Sequence, residues 1–65
     1  MEQIKMLTDI QMESSNIGLY TVVKKGDIAV ITKVENGKIY PFYCKSIDNN
    51  EFFTAKEEEF ERLSS

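Results

Sequence analysis

The fold of this chain is decided by residues 22–34, Val-Val-Lys-Lys-Gly-Asp-Ile-Ala-Val-Ile-Thr-Lys-Val. Gly26 can adopt a positive φ and the carboxylate of Asp27 can hydrogen-bond its own backbone, so Lys-Lys-Gly-Asp predicts a turn. The run from Ile28 to Val34 is rich in Ile, Val and Thr, which is the composition of a β-strand. Its first four residues are apolar, which indicates that both faces of this strand are at least partly covered.

The chain has the size and composition of one small globular domain. It contains 65 residues, of which 42% are hydrophobic, with three glycines and one proline. A domain of this size buries only about 60% of its unfolded surface, so its core must use most of its large apolar residues. The formal net charge of -3 disfavours nonspecific binding to DNA.

Cysteine usage and hydropathy predict a cytoplasmic protein. Cys44 is the only cysteine, whereas small secreted domains usually carry cysteine pairs. The amino terminus has no long apolar segment of the kind found in signal peptides. No run approaches the roughly 20 apolar residues that a membrane-spanning helix needs. We therefore expect a protein of the reducing cytoplasm without a membrane partner.

Short extended segments alternate with turn signals along the chain. Strands are predicted at residues 4–7, 19–23, 28–34, 39–47, 51–54 and 61–63. Residues 8–18 are predicted to form a polar loop. A helix over residues 2–13 is the alternative, because Ile4, Leu7 and Ile10 lie at helical spacing.

The remaining connections are short. Asn36-Gly37 predicts a tight hairpin, and Asp48-Asn49-Asn50 predicts the next turn. Pro41 has no N–H, so it must lie at a strand start, a bulge or an unpaired edge. Residues 55–60 have room for one or two helical turns. Short strands with tight turns and no long helix predict an all-β fold, a small barrel or sandwich.

The order of these elements resembles an SH3-like barrel of the kind found in small bacterial and phage proteins. Residues 24–27, Lys-Lys-Gly-Asp, match the diverging turn of that fold together with the strand after it. Residues 59–63, which follow Phe52-Phe53, are similar to the terminal run of many such proteins. The resemblance covers about residues 4–63. It implies one domain, residues 1–65, folded as a small five-stranded barrel with a short helical turn before the last strand.

The chain departs from the SH3 family at the positions that bind proline-rich peptides. The family's Ala-Leu-Tyr-Asp-Tyr stretch corresponds here to residues 6–10, Met-Leu-Thr-Asp-Ile, which lack both tyrosines. The chain has no tryptophan, and the family's Pro-x-x-Tyr motif is missing. Those aromatic side chains hold polyproline ligands. The resemblance therefore implies the fold without binding of proline-rich peptides.

Few side chains of this sequence favour catalysis. The chain has no histidine, which is the commonest general base and metal ligand. Cys44 lies in an apolar aromatic segment, which favours a buried inert thiol over a nucleophile. No phosphate-binding glycine loop or zinc-ligand spacing is present. The cluster Glu57-Glu58-Glu59 is typical of a solvated turn. We expect neither an enzyme nor a protein that needs a metal or cofactor.

The first functional hypothesis is that the chain is a protein-interaction module. The resemblance to small phage and prophage proteins further implies an inhibitor or regulator of a host protein. Carboxylates beside tyrosine rings suit a basic, partly apolar partner surface, since charge speeds association and apolar area slows dissociation. The candidate partner-binding residues are Asp9, Glu13, Tyr20, Tyr40, Phe42 and Tyr43. The alternative is that these rings fill the core, to which we assign Phe53, Phe60 and one face of residues 40–44.

The second hypothesis is a small barrel associated with nucleic acid or the ribosome, since SH3-like barrels also occur in ribosomal and transcription proteins. A basic edge could come from Lys24, Lys25, Lys33, Lys38 and Lys45. Against it, the chain is acidic overall and Arg62 is its only arginine, whereas contacts to phosphates and bases favour several. The sequence therefore favours a protein partner.

Overall fold

The computed structural model describes residues 1–63, which fold mainly as β-strands. The seven strands are β1 (Glu2–Met6), β2 (Ile10–Ser14), β3 (Gly18–Val23), β4 (Ile28–Val34), β5 (Phe42–Ser46), β6 (Phe52–Ala55) and β7 (Phe60–Arg62). A 3-10 turn, Glu57–Glu59, precedes β7. The all-β prediction is confirmed, as is the helical turn before the last strand. The helical alternative for residues 2–13 is wrong, because this segment forms β1 and β2.

Five strands form one antiparallel sheet in the order β6-β5-β4-β1-β7, and β2 and β3 form a separate hairpin. β4 pairs with β1 on one side and with β5 on the other. The strand predicted from residues 28–34 is therefore the centre of the sheet, and its first four residues are buried or half-buried. Within residues 1–63, β6 and β7 are edge strands and the sheet does not close into a barrel.

The predicted turn at Lys-Lys-Gly-Asp joins β3 to β4. Gly26 has a φ of 96°, a conformation that favours glycine. The Asp27 carboxylate accepts a hydrogen bond from the backbone N–H of Lys24 at 2.9 Å. The turn is tied to the end of β1, because the N–H of Gly26 donates to the carbonyl of Met6 at 2.8 Å. The Met6 N–H donates in return to the carbonyl of Asp27 at 2.9 Å.

The polar loop predicted for residues 8–18 is wrong in its middle part, which forms β2. β2 pairs with β3 from Ile10 opposite Val23 to Ser14 opposite Gly18. Most β2 side chains are exposed. Pairing with β3 therefore accounts for most of this strand, and Ile10 alone of its apolar residues packs against the core. The alternation of apolar and polar residues from Ile10 to Glu13 is the sequence signal for this strand, and it is only four residues long.

The connection between β4 and β5 is longer than the two-residue hairpin that we predicted. It comprises residues 35–41, with a turn at Asn36-Gly37, and it is closed by a 2.8 Å hydrogen bond from the Glu35 N–H to the Pro41 carbonyl. Pro41 immediately precedes β5, where its missing N–H costs no bond within the strand ladder. Tyr40 therefore lies in the loop and not in the strand.

The core is lined by Ile4, Met6, Val22, Val23, Ala29, Ile31, Phe42, Cys44, Phe53, Ala55 and Phe60. The rings of Phe42 and Phe60 pack edge to face, with their centroids 5.2 Å apart. The predicted core positions Phe53 and Phe60 are confirmed. Along β5, Phe42 and Cys44 face the core and Tyr43 does not. Of the predicted buried face of residues 40–44, Phe42 and Cys44 are therefore buried, whereas Tyr40 is exposed.

Candidate functional site: a groove between β2 and β6

A groove of about 310 Å³ lies between the β2–β3 hairpin, the β4–β5 loop, β6 and the 3-10 turn. Its lining residues are Asp9, Ile10, Gln11, Met12, Tyr40, Thr54 and Glu59. Two of the predicted partner-binding residues, Asp9 and Tyr40, thus share one site. Among the described residues, the charged side chains that line this groove are both carboxylates. Acidic groups beside an aromatic ring suit a cationic, partly apolar ligand group.

Asp9 is held in place by the backbone of the β3–β4 turn. Its Oδ1 accepts a hydrogen bond of 2.7 Å from the N–H of Lys25. The preceding segment is attached to the 3-10 turn as well, because the N–H of Leu7 donates to the carbonyl of Glu59 at 2.9 Å. Backbone hydrogen bonds therefore fasten this end of the groove on two sides.

Glu59 is positioned by the start of the 3-10 turn. Its Oε1 accepts a hydrogen bond of 3.0 Å from the N–H of Lys56, which caps the turn. Glu57 and Glu58 are exposed, and Glu57 pairs with Arg62 at 3.1 Å. The acidic cluster predicted as a solvated turn is therefore divided. Two of its carboxylates face solvent and the third lines the groove.

Tyr40 presents an accessible ring to the groove. Its side chain is 45% exposed, and the Nζ of Lys56 lies 5.5 Å from the ring centroid. That ammonium group is also 3.8 Å from a carboxylate oxygen of Glu58. The Lys56 ammonium therefore already occupies a cation site on this ring, and the exposed part of the ring is left for apolar contact with a ligand.

A second, apolar depression of about 180 Å³ adjoins the groove. Its lining residues are Met12, Tyr43, Cys44, Phe52, Phe53 and Thr54. The two cavities share Met12 and Thr54, so they form one surface with an acidic end and an apolar end. Phe52 is 63% exposed at the apolar end, with the Nζ of Lys45 5.7 Å from its ring centroid.

Tyr43 is fixed at the edge of the apolar depression. Its hydroxyl donates a 2.8 Å hydrogen bond to Oε1 of Glu35. This bond is the largest cause of two shifts, since it lowers the pKa of the Glu35 carboxyl and raises the pKa of the Tyr43 phenol. Lys33 lies with its Nζ 5.5 Å from the ring centroid. The ring is available for contact with a ligand, whereas the hydroxyl already donates its hydrogen bond to Glu35.

Three of the predicted residues line neither the groove nor the apolar depression. Tyr20 is half-buried and packs against the core. Glu13 is exposed in the hairpin opposite Leu19. Phe42 is only 8% exposed and lies beneath the Arg62 guanidinium, whose carbon is 5.4 Å from the ring centroid. Phe42 is therefore a core residue, and we remove it from the candidate partner-binding residues.

The structure adds five residues to the groove, which are Ile10, Gln11, Met12, Thr54 and Glu59. Ile10 and Met12 carried a signal in the sequence, because both are apolar residues in a polar segment. The sequence around Thr54 is typical of an ordinary strand. Thr54 lines the groove together with residues of β2 because of the way the hairpin packs against the sheet. No property of the local sequence predicts that contact.

The lysines of the nucleic-acid hypothesis are divided among different parts of the fold. Lys24 and Lys25 lie at the β3–β4 turn, where carboxylates accept hydrogen bonds from their backbone N–H groups. Lys33 and Lys38 pair with Glu35 at 3.7 and 3.5 Å, around the β4–β5 loop. Part of the side-chain charge of Lys33 and Lys38 is therefore compensated by Glu35.

Within residues 1–63, no group of three or more Cys, Asp or Glu side chains could hold a metal ion. The same residues contain no helix long and apolar enough to cross a membrane. Comparison with protein-family models, curated proteins and solved structures finds no match to this chain.

Proposed function

We propose that this chain is a non-catalytic protein-interaction module that binds a basic, partly apolar segment of a partner protein in the groove between β2 and β6. The observation that carries the proposal is the placement of the Asp9 and Glu59 carboxylates beside the Tyr40 ring in one groove of about 310 Å³. Carboxylates attract and orient a cationic partner, and the ring supplies apolar contact area. The adjoining depression at Phe52 extends that area.

An SH3-like arrangement of the strands is part of this proposal. It is supported by a sheet of five strands, by the β2–β3 hairpin that follows β1 and precedes β4 in the chain, and by a 3-10 turn before β7. The resemblance implies that the long loop leans towards the start of the third strand of that fold. The shared groove of Asp9 and Tyr40 agrees with that expectation.

The groove chemistry supports binding and not catalysis. Asp9 and Glu59 each use one carboxylate oxygen to accept a backbone hydrogen bond. Burial, with a smaller contribution from the charge of Glu59, raises the pKa of the Cys44 thiol to about 11, which keeps it protonated and unreactive near neutral pH. The resemblance further favours a phage- or prophage-encoded regulator of a host protein, and the unpaired cysteine favours action in the cytoplasm.

Affinity capture with paired variants tests the proposal. The chain is immobilised, partners are captured from bacterial lysate and identified by mass spectrometry, and affinities are measured with the purified partner. Tyr40→Ala should weaken binding about tenfold or more, as expected when a central aromatic contact is lost. The matched control is Ile39→Ala, since Ile39 is 80% exposed and does not line the groove.

A second pair of variants tests the β2 wall. Met12→Ala should weaken binding, whereas Leu19→Ala on the same hairpin should not, because Leu19 is 68% exposed and lies outside the groove lining. All four variants should melt close to the parent protein. Equal affinity of Tyr40→Ala, Met12→Ala and the parent would refute the proposed site.

The salt dependence of binding distinguishes the nucleic-acid alternative. Neutralising phosphates releases counterions, so the logarithm of the affinity falls by about 0.9 per phosphate contact for each tenfold rise in salt. We expect a shallower dependence for a protein segment in this groove. Nucleic-acid binding with a steep salt slope that is lost in Lys24→Ala or Lys33→Ala would favour the alternative.

A further inference from the structure

Within residues 1–63, β6 is an edge strand of the sheet, and it borders the groove through Thr54. In the β5–β6 register, Cys44 lies opposite Phe53, and the N–H of Ser46 donates to the carbonyl of Glu51 at 2.9 Å. Hydrogen-bonded and non-hydrogen-bonded pairs alternate along an antiparallel ladder. Phe53 and Ala55 therefore bond to β5. The N–H and C=O groups of Phe52 and Thr54 point away from β5, towards the open edge.

The opposite side of β5 confirms this alternation. The N–H of Ile47 donates to the carbonyl of Ile28 at 3.2 Å, so Ile47 and Lys45 direct their backbone groups towards β4. Cys44 and Ser46 must then direct theirs towards β6. Because β6 is the edge of the sheet, the outward groups of Phe52 and Thr54 meet no further strand of the sheet.

The two cavities lie where an added strand would lie. Met12 on β2 and Thr54 on β6 line both cavities, and β2 and β6 belong to different sheets. The side chains of Phe52 and Thr54 are exposed on one face of β6, whereas Phe53 and Ala55 are buried on the other. In a strand paired to β6, every second side chain would lie on the same face of the sheet as Phe52 and Thr54, over the cavities.

We infer that the groove binds its partner as an extended peptide segment, added as an antiparallel strand to β6, with a Lys or Arg residue opposite Thr54 and an apolar residue opposite Phe52. This inference rests on the proposed function and names the form of the partner segment. The two outward residues of β6 offer two N–H donors and two C=O acceptors to the segment. The basic side chain lies towards Asp9 and Glu59, and the apolar side chain, two positions later, lies towards Met12 and Tyr43.

A single strand fits this site better than a second copy of the chain. In a second copy, β6 would arrive with β5 hydrogen-bonded to its other side. Neighbouring strands are about 4.8 Å apart, so β6 of a second copy, with its β5 strand attached, takes up at least twice the width of a single added strand. β2 stands on the far side of the groove and limits that width. The carboxylates of Asp9 and Glu59 favour a cationic segment, and Phe52 and Thr54 supply no cation.

Synthetic peptides test the inference directly. The probe is the acetylated and amidated heptapeptide Ser-Thr-Lys-Thr-Leu-Thr-Ser, titrated into the full chain labelled with nitrogen-15. We expect saturable shifts of the Phe52 and Thr54 amides and their slower hydrogen exchange. Replacement of the peptide lysine by glutamate should weaken binding roughly tenfold, as expected for loss of one charge-assisted contact. In the protein, Asp9→Asn should reduce the difference in affinity between the lysine peptide and the glutamate peptide.

N-methylation of the peptide separates strand pairing from simple occupation of the groove. In the added strand, the lysine and leucine direct their N–H groups to β6, and the threonine between them directs its N–H away. N-methylation of the leucine should therefore abolish binding, whereas N-methylation of that threonine should be tolerated better. Equal tolerance at both positions would overturn the inference, as would a peptide that does not bind at millimolar concentration.

Failure of this inference is distinguishable from failure of the proposed function. If a captured partner still requires Tyr40 and Met12 but leaves Phe52 and Thr54 amide exchange unchanged, the groove binds in another mode. In that case the proposed function stands and strand addition is wrong. Protection of the same two amides that rises with protein concentration, without peptide, would instead show pairing between two copies and would also overturn the inference.

Discussion

The carboxylate of Asp9 accepts a 2.7 Å hydrogen bond from the backbone N–H of Lys25, across the base of the β2–β3 hairpin. Asp27 accepts a similar bond of 2.9 Å from the N–H of Lys24. Two consecutive amides of one turn are thus satisfied by two aspartates, one local and one from a distant segment. Asp9 therefore has a structural role in addition to its place in the groove, and its removal affects more than binding.

Asp9→Ala should lower the free energy of unfolding by about 1 kcal/mol, because the Lys25 amide loses a charged acceptor at an exposed site. Asp9→Asn should lose less, since its side-chain carbonyl can still accept the bond. Glu13→Ala is the control, because Glu13 is exposed on the same hairpin, and it should change stability by less than about 0.5 kcal/mol. Urea unfolding of the three variants measures these differences, and equal loss for Asp9→Ala and Glu13→Ala would contradict the role of the bond.

Gly26→Ala should destabilise the protein by about 1 kcal/mol or more. The φ of Gly26 is 96°, and a Cβ built there meets no atom within 4 Å. The cost is therefore conformational and not steric. Thermal melts provide the measurement, with Lys25→Ala in the same turn as the control. A melt of Gly26→Ala that coincides with the parent would show that the turn tolerates a side chain.

The Glu35–Tyr43 pair predicts a pH dependence at both ends of the scale. The hydrogen bond from the phenol lowers the pKa of Glu35 below 4.5, so its contribution to stability is complete above pH 4.5 and is lost as the pH falls through the lowered value. The same bond raises the pKa of Tyr43 above 10. The contribution of the Tyr43 phenol to stability is complete below pH 10 and is lost as the pH rises through the raised pKa.

Tyr43→Phe removes this pair and should return the pKa of Glu35 towards 4.5. Titration of the Glu35 carboxyl carbon by NMR in the parent and the variant measures the change. Tyr40→Phe is the control, since no contact links Tyr40 to Glu35 among the described residues. An identical Glu35 titration in Tyr43→Phe and the parent would contradict the hydrogen bond.

Ser46→Ala should leave the protein equally stable or more stable, by up to about 1 kcal/mol. Ser46 is 0% exposed, and within residues 1–63 its hydroxyl finds no hydrogen-bond partner. Removal of a buried polar atom without a partner relieves a desolvation cost. The contrasting variant is Ser14→Ala, because the Ser14 hydroxyl accepts a hydrogen bond from the Asn16 N–H at 3.2 Å. A clear loss of stability in Ser46→Ala would indicate a bound water or other partner.

The Cys44 thiol should react with thiol reagents only after unfolding. It is 0% exposed, and burial is the main cause that raises its pKa to about 11. At pH 8 the folded protein therefore holds very little accessible thiolate. The measurement compares labelling rates at pH 8 with and without denaturant, with Cys44→Ser as the blank. Fast labelling of the native protein would place the thiol at the surface.

Local sequence determined the strands and turns whose signals lie within a few residues. The Ile28–Val34 run became the central strand, and Gly26 took a positive φ, because both follow from backbone and side-chain preferences of the segment itself. The burial of Phe53 and Phe60 was also predictable, since so short a chain has few other large residues for its core.

Tertiary structure decided the pairing of β2 and the composition of the groove. β2 is paired with β3 along its whole length, and most of its side chains are exposed, so its short alternation of apolar and polar residues is a weak local signal. Phe42 and Tyr40 are equally aromatic in the sequence, yet one packs against Phe60 and the other lines the groove. The physical reason is that contacts between distant segments depend on how the hairpin and the sheet pack together. No single stretch of this chain encodes that arrangement.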